Sequence, residues 1–353
     1  MTPQQTLIEG LFDLLMKEGG SDLHISAGRI PAVRISTQLV TLVNQAPLTQ
    51  EDMKGILLFL LGEEKLNRFM ANNEIDFSYD YKGLGRLRGN AFIRQGTIAA
   101  AFRLLPKVRN LSDLKLPDQL IAFARKKQGF FLVVGPVGQG KSTTLSAMID
   151  MINTERAEHI VTIEDPVEYI YPEKRSIIDQ REVGVDTKDF PTALRAVLRE
   201  DVNVILIGEM RSADTIATAV TAAETGHLVF STLHTNNAAQ TIDRIIDSFP
   251  GDQQDQIRAQ LAGSLLGVFS QRLIPKVTGG LVPAYELLIN TPAVQNLIRE
   301  KRTHEIDVVI ETGTEQGMID MNRSLLELVR KGEITMENAY LYSMNPKGLE
   351  RLL

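Results

Sequence analysis

A chain of 353 residues, 43% of them hydrophobic, is long enough for about two domains, each with its own buried core. The formal net charge is -6, and Lys and Arg are interspersed with Asp and Glu, so no basic stripe is available to neutralise a phosphate backbone and nucleic acid is not expected as a partner. The absence of cysteine excludes disulfides, thiolate zinc sites and thiol catalysis, and suits a reducing compartment.

Residues 4–17 carry Leu7, Leu11, Leu14 and Leu15 at helical spacing, and Gly19 and Gly20 then stop the helix. The opening MTPQQTLIEG has neither the basic start nor the apolar core of a secretory signal. Residues 22–43 read as short strands broken at Gly28 and Pro31, after which Thr49 with Asp52 offers an N-cap for a helix running to residue 70. Within it, residues 56–61 form the longest purely aliphatic or aromatic run, far short of the roughly 20 residues a spanning helix needs. A cytosolic protein with peripheral membrane contact at most is expected. Alternation returns between Ile75 and Arg103, with a turn at Lys82 and Gly83.

Residues 1–103 are therefore expected to form a small α+β domain, with the polar, proline-bounded stretch 104–117 as a linker to a second domain at 118–353. In that second part, strand-like runs at 130–134, 159–163, 204–207 and 228–232 are separated by helical or loop segments. This grammar predicts an α/β fold with a mostly parallel sheet. From Thr291 onward the pattern is helical, including residues 322–330, ended by Gly332. No internal repeat or low-complexity segment interrupts the chain.

Residues 135–142 read GPVGQGKS, which fits GxxxxGK[ST], and they stand between the apolar run FFLVV and the helix-compatible STTLSAMIDMI. Gly138 and Gly140 let backbone N–H groups curl around phosphate oxygens, Lys141 sets a charge on the β and γ phosphates, and the Ser142 hydroxyl can ligate Mg²⁺. The expected nucleotide contacts are Gly135, Pro136, Val137, Gly138, Gln139, Gly140, Lys141, Ser142 and Thr143, with ATP and Mg²⁺ as ligands. A P-loop needs an acid at the end of another strand, and VILIGE, ending in Glu209, supplies it; Ser142 and Glu209 are the expected metal-side residues, Glu209 through water or directly.

Three further features each admit two readings. The acidic segment VTIEDPVEY is either a turn after a strand or the source of a carboxylate that polarises the attacking water. His227 and His234 bracket an apolar strand and lack a third ligand for a metal site. His234, with Thr232 and Thr235, is either a γ-phosphate sensor at a strand end or a capping residue. Arg88 and Arg94 share strand parity while Arg103 does not, unless a turn at Gln95 and Gly96 resets the count. These arginines are either solvated or clamps on a transferring phosphoryl group.

With these motifs in hand, the chain resembles the type IV pilus retraction ATPases, the PilT family of secretion-type motors, over essentially its whole length. The resemblance is carried by SDLHISAG, EIDFSY, the P-loop, IEDPVEY, GEMR, TGHLVFSTLHTNNA and NLIRE. It implies a PAS-like N-terminal α+β domain joined flexibly to a RecA-like P-loop ATPase domain, a homo-hexameric ring, an inner-membrane pilus platform as partner and a place at the cytoplasmic face of the inner membrane. By motif it implies Glu164 as general base, Glu209 in the metal shell, His234 reading the γ-phosphate, and Arg88 and Arg103 as paired N-domain arginines. Retraction is favoured over extension because the four-cysteine zinc insertion of extension and type II secretion ATPases is missing and residues 293–304 read AVQNLIREKRTH, close to the retraction segment.

The chain departs from the family pattern at Ser212 (Asp in the family), Val202 and Asn203 (Pro and Asp), Ser231 (Gly), Gln295 (Arg) and Lys301 (Gly). None of these is a phosphate, metal or base residue. The competing expectations are the same enzyme in extension, secretion or accessory retraction, and a nucleotide-gated scaffold with little turnover. A nucleic-acid motor is disfavoured by the acidic charge and the lack of basic and aromatic interleaving.

Overall fold

The computed structural model describes residues 2–35 and 38–353, which divide into two compact units at Lys107 and Val108. The first unit runs α1 (Pro3–Lys17), β1 (Asp22–Ser26), β2 (Ala32–Ile35), β3 (Gln38–Thr41), α2 (Gln50–Asn72), β4 (Glu74–Tyr81), β5 (Gly85–Arg94) and β6 (Thr97–Leu104). Thr49 caps α2 as expected: its hydroxyl accepts from the Asp52 amide while the Asp52 carboxylate accepts from the Thr49 amide, so two orphan donors of the first turn are satisfied reciprocally.

The six strands form one antiparallel sheet in the order β3-β2-β1-β6-β5-β4. Its period-2 alternation turns Leu23, Ile25, Leu87, Ala91, Phe102 and Phe77 onto α1 and α2, whose Leu11, Phe12, Ile56 and Phe69 complete the core. The opposite face is polar. Gln95 and Gly96 both have positive φ, 50° and 75°, the signature of a two-residue hairpin turn, and they set the register that pairs Arg88 directly with Arg103. The turn resets the parity, so Arg88 and Arg103 share the polar face.

The second unit runs α3 (Gln119–Ala124), β7 (Gly129–Val134), α4 (Lys141–Glu155), β8 (His159–Glu164), β9 (Ile177–Glu182), α5 (Phe190–Val197), β10 (Val204–Ile207), α6 (Ala213–Glu224), β11 (Leu228–Leu233), α7 (Ala238–Asp247), α8 (Gln254–Ser264), β12 (Leu265–Pro275), β13 (Leu281–Ile289), α9 (Pro292–Arg299), α10 (Ile306–Thr312) and α11 (Met321–Arg330), followed by two short helices. Its sheet has the order β13-β12-β7-β11-β10-β8-β9, parallel throughout except for β13 at one edge. Every residue of β7 is buried because the sheet is covered on both faces. Phe130, Leu132 and Val134 point into one core, and Phe131 and Val133 into the other.

That second core narrows the expected linker. Leu111 and Leu116 are buried against it with Leu120, Phe131 and Met148, so most of 104–117 is folded onto the second unit. The proline-bounded stretch reads as a linker because the apolar residues between Pro106 and Pro117, namely Val108, Leu111, Leu114 and Leu116, follow no single period. Three strands, β9, β12 and β13, are also additional to the four expected ones.

The departures from the family pattern are absorbed locally. Ser212 is the N-cap of α6, its Oγ accepting from the Thr215 amide at 3.3 Å, a role that Ser and Asp fill alike. Ser231 is fully buried and donates to the Ile207 carbonyl at 2.8 Å, tying β11 to β10. The Asn203 side chain accepts from the His159 amide at 2.9 Å, and Val202 joins the core. Nothing in the structure explains Gln295. Lys301 stands at φ 63° after the C-cap of α9, where the Arg302 amide bonds the Leu297 carbonyl and the Lys301 amide the Ile298 carbonyl. This is the left-handed position where glycine is unstrained. Lys301→Gly is expected to be about 1 kcal/mol more stable than Lys301→Ala in chemical unfolding, both variants lacking the ion pair to Asp255, so that the difference isolates the backbone.

Candidate functional site

In an open parallel sheet ligands collect beyond the carboxyl ends of the strands. Here the ends of β7, β8, β10 and β11 deliver the P-loop, Glu164, Glu209 and His234 to one cavity of about 540 Å³, whose lining includes residues 137–143, Glu164, Glu209, Arg211, Thr232 and His234. The four sequence-predicted elements of the second unit thus meet. Arg88 and Arg103 lie in the first unit, side by side on its polar sheet face; Arg88 is exposed, and Arg103 donates to Asp22 Oδ1 at 2.9 Å.

The loop between β7 and α4 has a shape that side chains would prevent. A Cβ on Gly135 would lie 2.4 Å from the Gln271 carbonyl oxygen, and Gly140, the N-cap of α4, has φ 82° with Gln271 Nε2 2.8 Å from where a Cβ would be. Gln271 of β12 clamps this loop: its Nε2 donates to the Gln139 carbonyl at 2.9 Å and its Oε1 accepts from Thr144 Oγ1 at 2.5 Å. The Gln139 side chain in turn accepts from the Leu273 amide at 2.7 Å.

Lys141 is buried, and burial lowers its ammonium pKa despite the opposing Glu209 and Glu168 charges. Its Nζ donates to the carbonyls of Gly135 and Pro136, at 2.8 and 2.9 Å, and lies 3.2 Å from His234 Nδ1. An ammonium can only donate, so His234 Nδ1 accepts, and the neutral ring carries its proton on Nε2, 3.7 Å from Glu209 Oε2. Burial, then the Lys141 charge, push the His234 pKa down, which keeps the ring neutral. The other Glu209 oxygen pairs with Arg211. The result is a chain from Lys141 through His234 and Glu209 to Arg211 across the mouth of the P-loop.

Glu164 closes β8. It is 8% exposed, and burial raises its pKa against the hydrogen bonds that favour its charged form. A buried carboxylate with a raised pKa is what a general base near neutral pH requires. The rest of the acidic segment leaves the sheet in a bend at Asp165 and Pro166, whose peptide is cis, and Tyr169 Oη bonds Thr143 Oγ1 at 2.7 Å.

The other histidine-box residues have structural tasks. His227 Nδ1 bonds the Ala222 carbonyl at the end of α6, and Thr235 Oγ1 bonds Thr241 Oγ1 inside α7. Thr232 lines the cavity with its hydroxyl donated to the Gly208 carbonyl at 2.6 Å.

The residues that escaped sequence reasoning are Arg211, Thr162, Gln180 and Gln271. Thr162 was findable, because a residue two before Glu164 on a strand shares its face. Gln180 rides on β9, a strand without a clear apolar signature, and Gln271 on β12, which follows α8 without a break.

The donor set suits Mg²⁺. Ser142 and Glu209 offer hard oxygens, and among the described residues no group of three His, Cys, Asp or Glu could hold a metal unaided. Mg²⁺ prefers such a partial site, completing its octahedron with phosphate oxygens and water. A second cavity of about 380 Å³ adjoins the P-loop at Gly140, Thr143 and Thr144, with Arg109, Leu116 and Leu273 among its walls. Among the described residues no helix is long and apolar enough to cross a membrane.

Residues 107–281 match the family described as type II/IV secretion system protein. The type IV pilus retraction ATPase PilT of Pseudomonas aeruginosa is 44% identical over 92% of this chain and 94% of its own length. A twitching motility protein of Neisseria gonorrhoeae is 43% identical over 87% of this chain and 83% of its own. The crystal structure of the pilus retraction motor PilT with bound ADP superposes with a TM-score of 0.91 at 46% identity, covering 98% of this chain and 99% of that one.

Proposed function

The chain belongs to the PilT family of pilus retraction ATPases, and from that membership we propose how its residues hydrolyse ATP and turn the energy into filament withdrawal. It is an ATPase with a RecA-like domain preceded by an α+β domain, and its function is pilus retraction. The observation that carries this reading is identity with a retraction ATPase at 44% over nearly the full length of both chains.

The P-loop from Gly135 to Thr143 holds the phosphates, with the Lys141 ammonium turning from the Gly135 and Pro136 carbonyls to the β and γ phosphates. The base and ribose occupy the neighbouring 380 Å³ cavity. Ser142 and Glu209, the latter directly or through water, would hold Mg²⁺, which would offset the negative charge of the phosphate oxygens. Glu164 takes the proton of the attacking water. His234, bonded to Lys141, responds to the γ-phosphate through that shared contact. Arg88 and Arg103, from the PAS-like first domain, supply guanidinium charge to the transferring group. The working assembly is a ring of six at the cytoplasmic face of the inner membrane, acting on a membrane platform at the pilus base through peripheral contact.

ATP hydrolysis and native mass measured on one preparation test this. A hexamer that turns over ATP supports the motor; a chain that binds ATP but neither assembles nor hydrolyses it favours the nucleotide-gated scaffold. Cells lacking the protein should carry excess pili and fail to twitch, whereas loss of pili would move the assignment to extension.

A further inference from the structure

A general base must be held in place as well as charged, because a carboxylate that rotates about its χ angles spends part of its time aimed away from the water it activates. The parallel register of β8 and β9 sets Thr162 beside Gln180, and Glu164 follows Thr162 by two residues on the same face. Thr162 is fully buried, and its Oγ1 donates to Glu164 Oε1 at 2.6 Å. Gln180 Nε2 reaches the same Oε1 at 3.4 Å and donates to the Tyr169 carbonyl at 2.7 Å, while Gln180 Oε1 accepts from the Tyr171 amide at 3.4 Å. Both side-chain donors converge on one oxygen of the base. Gln180 also holds the backbone of the turn whose Tyr169 hydroxyl bonds Thr143 on α4, next to the phosphate-holding Ser142.

We propose that Thr162 and Gln180 are positioning residues: they fix the Glu164 carboxylate, and through Tyr169 and Thr143 they register it against the helix that carries the P-loop. The proposal rests on Glu164 being the general base. Neither residue touches the phosphates in this scheme, so their effect belongs to the chemical step and not to nucleotide affinity.

The test is single-turnover and steady-state hydrolysis by the full-length protein as wild type, Thr162→Val, Thr162→Ser, Gln180→Met, Glu164→Gln and the double variant Glu164→Gln/Thr162→Val. Thr162→Val and Gln180→Met are expected to lower kcat roughly 10- to 100-fold with the KM for ATP within about twofold of wild type. Thr162→Ser, which keeps the hydroxyl, is expected to restore turnover. The double variant is expected to be no slower than Glu164→Gln alone, because a positioning residue has nothing left to position.

The inference is overturned if Thr162→Val and Gln180→Met keep wild-type kcat, if their loss falls in KM, or if Thr162→Val slows the Glu164→Gln protein by its full single-variant factor. Should Thr162→Val fail to bind nucleotide, Gln180→Met decides alone, since Gln180 is half-buried on the edge strand β9. Near wild-type turnover by Glu164→Gln would instead remove Glu164 from the base role, a result distinct from failure of the positioning residues.

Discussion

Glu164→Gln is expected to slow ATP hydrolysis by about 10²- to 10⁴-fold, the range that positioned proton transfer supplies, while nucleotide affinity stays near wild type. The amide has the size and shape of the carboxyl and still accepts from Thr162 Oγ1, so β8 and the turn after it keep their geometry. What is lost is the ability to take a proton. The P-loop, Lys141 and Ser142 are untouched, so fluorescent-nucleotide binding and turnover should separate cleanly. Retained turnover would move the base role to another group lining the cavity, for which Asp165 and Glu168 are the available carboxylates.

The same variant has a stability signature. Burial raises the Glu164 pKa above its ordinary value, so folding favours the protonated acid. Below the ordinary carboxyl pKa the group is protonated whether the chain is folded or not, and its full contribution to stability is present. As pH rises through the raised native value, the unfolded state gains by ionising first and that contribution is lost. Glu164→Gln has no proton to lose and should be at least as stable as wild type at alkaline pH, which denaturant unfolding at two pH values can check.

Much of this site was legible because phosphate chemistry constrains sequence tightly. A glycine-rich loop between an apolar strand and a helix leaves few alternatives, and the acids after β8 and β10 follow from the rule that ligands gather at strand ends. The strands that escaped notice did so for physical reasons. β9 is an edge strand with an exposed Ile177 and the polar run Asp179, Gln180, Arg181 and Glu182, so it shows no continuous apolar run. β12 begins at Leu265 directly after α8 ends at Ser264, with a register shift between Leu265 and Gly267, and this masks the change of period from helix to strand. The polar residues on these strands, Gln180 and Gln271, contact Glu164 and the P-loop, and a reading that cannot assign a strand cannot assign the partners its register creates.

Arg88→Ala is expected to lower turnover about 10³-fold or more, the scale on which a guanidinium supplied to a transferring phosphoryl group acts, and to leave the fold of the first unit intact. Arg88 is exposed on a polar sheet face, where truncation ordinarily changes stability by no more than about 0.5 kcal/mol. That makes it the more decisive of the two arginines. Arg103 also bonds Asp22, where burial works against ionisation but the Ser21 hydroxyl and Arg103 itself outweigh it and hold the carboxyl below its usual range. Arg103→Ala therefore perturbs structure and chemistry together, and its loss of turnover is interpretable only beside the Arg88 result. Because the hairpin register pairs the two residues directly across the strands on one face, they are expected to act as one unit, and the double variant should be little slower than either single one. Arg88→Lys should not rescue, since an ammonium lacks the planar fork that spans two phosphate oxygens. Turnover within about twofold of wild type for Arg88→Ala would make this row a solvated strand face and confine the chemistry to the second unit.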